Sequence, residues 1–123
     1  MASLFEVTAG SAIGYVSGSG GAVTQATSKS TGVTLDKVCG AITMHNASLA
    51  DATNVSFTVT NSVVAANDVV IVNHSSAGTA GAYTVVANAI AAGSFAITVR
   101  NVSGGSLSQA IVLSFAVIKG ASA

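Results

Sequence analysis

The chain has 123 residues, half of them apolar, and its four basic and four acidic side chains give a formal net charge of zero. Catalysis, metal binding and cofactor binding draw on clustered ionisable side chains, whereas nucleic acid and anionic membranes require a basic patch. The composition argues against both classes. We therefore assign no catalytic, cofactor-binding or metal-binding residue, expect no cofactor, and expect a protein that is not an enzyme and binds neither nucleic acid nor membrane.

The first twenty residues differ in composition from the rest of the chain. A short apolar start, with Leu4, Phe5 and Val7, passes into a run of Gly and Ser over residues 14–21. Such a run is flexible unless contacts hold it in place. We interpret residues 1–20 as a flexible N-terminal arm that either docks on a neighbouring molecule or frays. The start has neither the basic region nor the unbroken apolar stretch of a signal peptide, so we expect folding in a cytoplasm.

Residues 21–123 are predicted to form one β-sandwich domain. Apolar and polar residues alternate with a period of two, as Val55, Phe57 and Val59 do against their Ser and Thr neighbours, and this places alternate side chains on opposite faces of a sheet. Gly, Ser and Asn turns between the strands favour an all-β antiparallel sandwich of jelly-roll or immunoglobulin-like type. The predicted strands lie near residues 22–27, 32–36, 40–45, 54–60, 68–73, 82–90, 94–101 and 110–119. The predicted core residues are Phe57, Val59, Phe95, Ile97, Leu113 and Phe115.

The predicted strand near 110–119 has apolar residues on both faces. Leu113, Phe115 and Val117 lie on one face, while Val112 and Ile118 lie on the other. A strand with one solvated face has polar residues there, so a two-sided apolar strand indicates a central position with cover on both sides. We expect the second cover to be another copy of the chain, in a dimer or trimer.

The chemically reactive residues are few and scattered. A single cysteine, Cys39, excludes an intrachain disulfide, and we interpret it as a small buried apolar residue. His45 and His74 stand near strand ends with no carboxylate or thiolate close in sequence, so we expect them to form hydrogen bonds at loops. Sugar binding stays open as an alternative, although its usual exposed aromatic platform has only Tyr15 and Tyr83 to draw on.

The β-domain resembles a domain found in structural proteins of tailed bacteriophage virions. The resemblance covers about residues 21–120 and is carried by the run GAVTQATSKSTGVTLDK at 21–37 and by shorter matching segments. These segments are residues 40–44, 55–61, 69–74, 81–85, 93–95 and 99–101.

Two functions are implied by this resemblance, and it supplies no catalytic motif. One is a capsid decoration (cement) protein that binds the outside of the head, with the major capsid protein as partner, and bridges capsomers. The other is a tail or tail-fibre component, for which receptor (glycan) binding is an open alternative. A fibre module normally belongs to a longer protein, so the chain length favours the decoration protein. We expect a virion protein on the capsid surface, assembled in the host cytoplasm.

Overall fold

The computed structural model describes residues 7–122, and within that range the chain forms eight β-strands and no helix. The all-β prediction is confirmed, and each predicted strand has a counterpart. Strand ends differ by up to three residues, most at the first and fifth strands, and the second strand is only two residues long. The strands are β1 (Gly20–Thr24), β2 (Val33–Thr34), β3 (Cys39–Thr43), β4 (Asn54–Thr60), β5 (Val69–Ser76), β6 (Tyr83–Ala91), β7 (Ser94–Asn101) and β8 (Val112–Ile118).

The strands form two four-stranded sheets that pack as a sandwich. Sheet A has the order β1-β3-β8-β5, and sheet B has the order β2-β4-β7-β6. Both sheets are mixed, which corrects the antiparallel prediction: β1 pairs with β3 and β2 pairs with β4 in parallel, whereas the other pairings are antiparallel. From β1 to β6 the chain alternates between the two sheets. Successive strands of one sheet, such as β1 and β3, therefore run in the same direction. Alternation of apolar residues reports which face is buried, not the direction of a strand.

The core lies between the sheets and contains all six residues predicted for it. β8 is central in sheet A, as predicted, and turns Leu113, Phe115 and Val117 inward. Across the sandwich, the rings of Phe95 in sheet B and Phe115 in sheet A have centroids 5.5 Å apart. This aromatic pair joins the two sheets at their middle strands.

Buried amide side chains hold the loops at the sandwich ends. Asn61 is fully buried and makes four hydrogen bonds: its Nδ2 donates to the carbonyls of Leu35 (2.9 Å) and Lys37 (2.7 Å), and its Oδ1 accepts from the backbone N–H groups of Val63 (2.8 Å) and Val64 (3.0 Å). Every hydrogen-bonding position of this amide is used. Asn61 therefore fixes the loop after β2 against the loop after β4.

A second buried amide, Asn101, acts in the same way at the end of β7. Its Nδ2 donates to the carbonyls of Leu49 and Gly105, both at 2.8 Å, and its Oδ1 accepts from Ser103 N–H at 2.9 Å. With no proline in the chain, such side-chain bonds replace rigid residues in keeping the loops in one conformation.

Lys29 is a buried cation, only 4% exposed. Its Nζ donates to the backbone carbonyls of His45 (2.5 Å) and Gln109 (2.6 Å), and beside it Gln25 donates to the carbonyls of Lys29 and Thr31. Burial lowers the pKa of the Lys29 amine, because desolvation disfavours the charged form. This lysine joins the end of β3 to the segment that precedes β8, a structural role rather than a surface one.

Candidate interaction surface

The described part of the arm, residues 7–19, is largely exposed and contacts the protein's own sheet A near Tyr15. The Tyr15 hydroxyl donates a hydrogen bond to the carbonyl of Val117 in β8. One backbone turn closes from Ser11 N–H to Thr8 O at 3.0 Å, and another from Ser19 N–H to Val16 O at 3.1 Å. The Gly- and Ser-rich run thus has two local turns and one hydrogen bond to the sandwich of the same chain.

A groove of about 530 Å³ lies between the arm and the last strand. Its walls are predominantly apolar, and one basic residue stands at its rim. The lining residues are Ile13, Gly14, Tyr15, Ala116, Ile118 and Lys119.

The rim lysine is neutralised by a buried carboxylate. Asp68, whose side chain is 2% exposed, accepts a hydrogen bond from Lys119 Nζ at 2.5 Å. It also accepts from the backbone N–H groups of Ala65 (2.8 Å) and Gly120 (3.0 Å). A side chain at Gly120 would place its Cβ 1.7 Å from the carbonyl oxygen of Asn67, so only glycine fits there. This cluster joins the end of β8 to the start of β5.

We expect the Asp68–Lys119 pair to make stability depend on acid pH. The hydrogen bond from Lys119, followed by that from Gly120, lowers the pKa of Asp68 to about 2 against an opposing effect of burial, whereas an unfolded Asp has a pKa of about 3.9. The folded pKa is the lower one, so the stabilisation is complete above pH ~4 and is lost as the pH falls towards ~2. In urea unfolding, Lys119→Met should have a lower free energy of unfolding than wild type at neutral pH, and the two values should converge near pH ~2.

The exposed Lys37→Met substitution is the control for this measurement, because Lys37 forms no ion pair in the part of the chain that the structure describes. The free energy of unfolding of Lys37→Met should be close to that of wild type both at neutral pH and near pH ~2. A Lys119→Met deficit that is unchanged at the acid end would contradict the assigned role of Asp68.

The outer face of sheet A carries no charge. Register and alternation place thirteen side-chain positions on it, and its middle is made of small residues. Val69, Ile71 and Ile118 are 55%, 48% and 47% exposed on it. We call this surface the A face, and its residues are Gly20, Ala22, Thr24, Cys39, Ala41, Thr43, Val69, Ile71, Asn73, Val112, Ser114, Ala116 and Ile118.

The outer face of sheet B has the opposite character. Its side chains bond to one another along the surface: Ser56 and Thr98 share a hydrogen bond of 2.7 Å, Asn88 donates to Thr98 at 2.9 Å, and Arg100 donates to Asn54 at 3.1 Å. Such a face is suited to contact with water. We call it the B face, and its residues are Asn54, Ser56, Thr58, Thr60, Thr84, Val86, Asn88, Ser94, Ala96, Thr98 and Arg100.

Exposed large apolar side chains concentrate on the arm and the A face. Of the nine in the described chain, four belong to the arm and three to the A face, while Val86 lies on the B face and Val102 in a loop. Ile13 and Val16 in the arm are the most exposed, at 75% and 80%. Ile13 and Tyr15 adjoin Ala116 and Ile118 at the groove, and an exposed apolar patch of this kind marks an interaction surface, so the A face with the arm is the candidate site.

Cys39, His45 and His74 lie in separate surroundings. Cys39 is half-buried on the A face, where a Cβ on Gly20 would lie 3.4 Å from its sulfur, so it is less buried than predicted. His45 Nδ1 accepts from Ala47 N–H at 3.0 Å. The described residues contain no group of three His, Cys, Asp or Glu side chains that could hold a metal ion.

A smaller cleft of about 260 Å³ lies beside His74 and Tyr83. His74 Nε2 contacts the carbonyl oxygen of Ala77 at 2.6 Å, which requires the proton on Nε2, and its ring meets that of Tyr83 edge-on at 5.6 Å. The Tyr83 hydroxyl donates to Gln109 Oε1 at 2.8 Å. His74 and the Tyr83 hydroxyl thus already have hydrogen-bond partners within the protein. Tyr83 is buried and offers no platform for a sugar ring.

Comparison with protein-family models, with curated proteins and with solved structures gave no match to this chain. Within residues 7–122, the structure has no helix with the length and apolarity needed to cross a membrane.

Proposed function

We propose that this chain is a structural protein of a tailed bacteriophage virion, a capsid decoration protein that binds the outside of the head and bridges capsomers. The observation that carries the proposal is the contrast between the two faces of the sandwich. An uncharged A face with exposed apolar side chains gains free energy when a neighbour covers it, at about 25 cal/mol per Å² of apolar surface. A protein that works within an assembly has such a neighbour permanently.

The placement of the ionisable side chains also supports a packing role. Lys29 and Asp68 are buried in contacts that join loops, and both histidines bond to backbone groups. In the described chain, every buried side-chain nitrogen and oxygen has a hydrogen-bond partner. Polar groups whose hydrogen bonds are made within the fold are not free to act on a substrate.

The virion setting comes from the sequence resemblance of residues 21–120 to structural proteins of tailed phages. The partner that this role requires is the major capsid protein. A decoration protein stabilises the head because capsomers cannot separate without breaking its contacts as well, and the effect grows with the number of copies bound.

The proposal is tested by locating the protein on virions and by heating virions that lack it. We expect labelled protein in many copies over the head, and we expect virions without it to release DNA at a lower temperature than complete virions. Adding back the purified protein should restore the release temperature. Copies confined to the tail would overturn the decoration role in favour of a tail or tail-fibre component, and glycan binding would then be the next activity to measure.

A further inference from the structure

We propose that the A face, together with the arm, is a two-fold interface between two copies of this chain. The use of such a dimer in bridging capsomers rests on the function proposed above, whereas the interface is argued from its own geometry. A two-fold dimer presents every other surface twice, so the same loops can contact a capsomer on either side of the axis.

The charge distribution favours a second copy as the occupant. In a two-fold interface, residues near the axis face their own counterparts, so any charge there is repelled by itself. None of the thirteen A-face residues is charged. Lys119, the one charged residue that lines the groove, is paired with Asp68.

The same surface carries exposed apolar side chains and an apolar groove. Ile13 and Val16 in the arm are 75% and 80% exposed, and the groove between the arm and β8 is predominantly apolar. A second copy can therefore place apolar side chains in the groove of the first copy and receive those of the first copy in its own.

The sheet and the arm together approach the area that a dimer needs. The strands of sheet A have five, five, seven and eight residues, and at ~3.3 Å per residue and about 4.8 Å between strands they cover about 400 Å² in projection per copy. Two copies contribute about 800 Å² before surface relief and the arms are added, against a minimum of about 1,000 Å² for a specific interface. The arm thus supplies area that the sheet alone lacks.

The test is sedimentation velocity of the full chain over about 1 to 100 µM. We expect the wild type to dimerise, and Ile71→Glu on the A face to raise the dimer Kd by at least tenfold, since a charge would be buried against its counterpart. Val86→Glu is the matched control: Val86 is 54% exposed on the B face, and its Kd should stay within about twofold of wild type. Circular dichroism checks that each variant is folded.

A second variant covers the case in which Ile71→Glu fails to fold. Val16 lies in the arm, outside every strand. Val16→Glu should therefore raise the dimer Kd while leaving the sandwich folded. Because the A face and residues 7–19 of the arm carry no charge, the Kd of the wild-type dimer should change by less than about threefold as sodium chloride is raised from ~50 to ~500 mM.

Three results would overturn the inference: a monomeric wild type at the highest concentration, a dimer that the A-face and arm variants leave unchanged, or an equal effect of Val86→Glu. A monomer whose capsid binding is abolished by Ile71→Glu would assign the A face to the major capsid protein instead. A dimer with the expected variant pattern that is absent from virions would leave the interface standing and remove the virion role.

Discussion

Replacing Phe115 with Ala is expected to lower the free energy of unfolding by about 3–5 kcal/mol. Phe115 is 3% exposed on the central strand of sheet A, and its ring packs against that of Phe95 in sheet B. Truncation removes the apolar contact and leaves a cavity where the two sheets meet. A domain of this size is stabilised by only about 5–15 kcal/mol, so the variant should be near its limit at physiological temperature.

The measurement is equilibrium unfolding in urea, followed by circular dichroism, at a single protein concentration. Val86→Ala is the control, since it removes an apolar side chain from the exposed B face and should change stability by less than about 0.5 kcal/mol. A loss below about 1 kcal/mol for Phe115→Ala would mean that the sheets are not packed through this pair.

Changing Asn61 to Asp is expected to destabilise the protein by at least about 3 kcal/mol at neutral pH, although the two side chains have the same shape. The substitution replaces the amide nitrogen by an oxygen that faces the carbonyls of Leu35 and Lys37. Both carbonyls lose their donor, and a buried charge meets their negative ends. The loops after β2 and β4 should then separate.

The pH dependence of this variant distinguishes the donor role from a general loss of packing. Burial raises the pKa of a carboxyl at position 61, so the folded variant takes up a proton more readily than the unfolded chain, and its deficit relative to wild type should shrink as the pH is lowered. Asn88→Asp on the B face is the control and should change stability little at any pH. An Asn61→Asp variant as stable as wild type would show that the amide does not hold these loops.

Local patterning was sufficient to predict the strands and the core. The alternation around Phe57 and Val59 reports burial on one face directly, and all six predicted core residues are buried. The two-sided apolarity of the last strand predicted cover on its outer face by another copy of the chain, which stays a prediction. The structure adds that Tyr15 of the chain's own arm bonds to the Val117 carbonyl, a contact between residues 102 positions apart that no local pattern contains.

Features that depend on distant segments meeting were not predicted. The parallel pairings of β1 and β2 follow from crossovers between the sheets, which turn composition does not specify. Lys29 and Asp68 look like solvated surface residues in the sequence, and their burial becomes tolerable only where carbonyls or a lysine converge on them. The A face was seen only at its last strand, because the Gly and Ala residues of β1 and β3 carry little apolar signal of their own.

The central place of β8 in sheet A determines the order in which the sandwich can be completed. All the strands of sheet B precede residue 102 in the chain, and β6 and β7 form a hairpin, so this sheet can pair while synthesis continues. In sheet A, β3 and β5 have no bond to each other and are joined only through the last strand. A chain truncated before residue 112 would lack the central strand of sheet A, so we expect it to leave apolar residues on the inner side of sheet B uncovered and to be prone to aggregation.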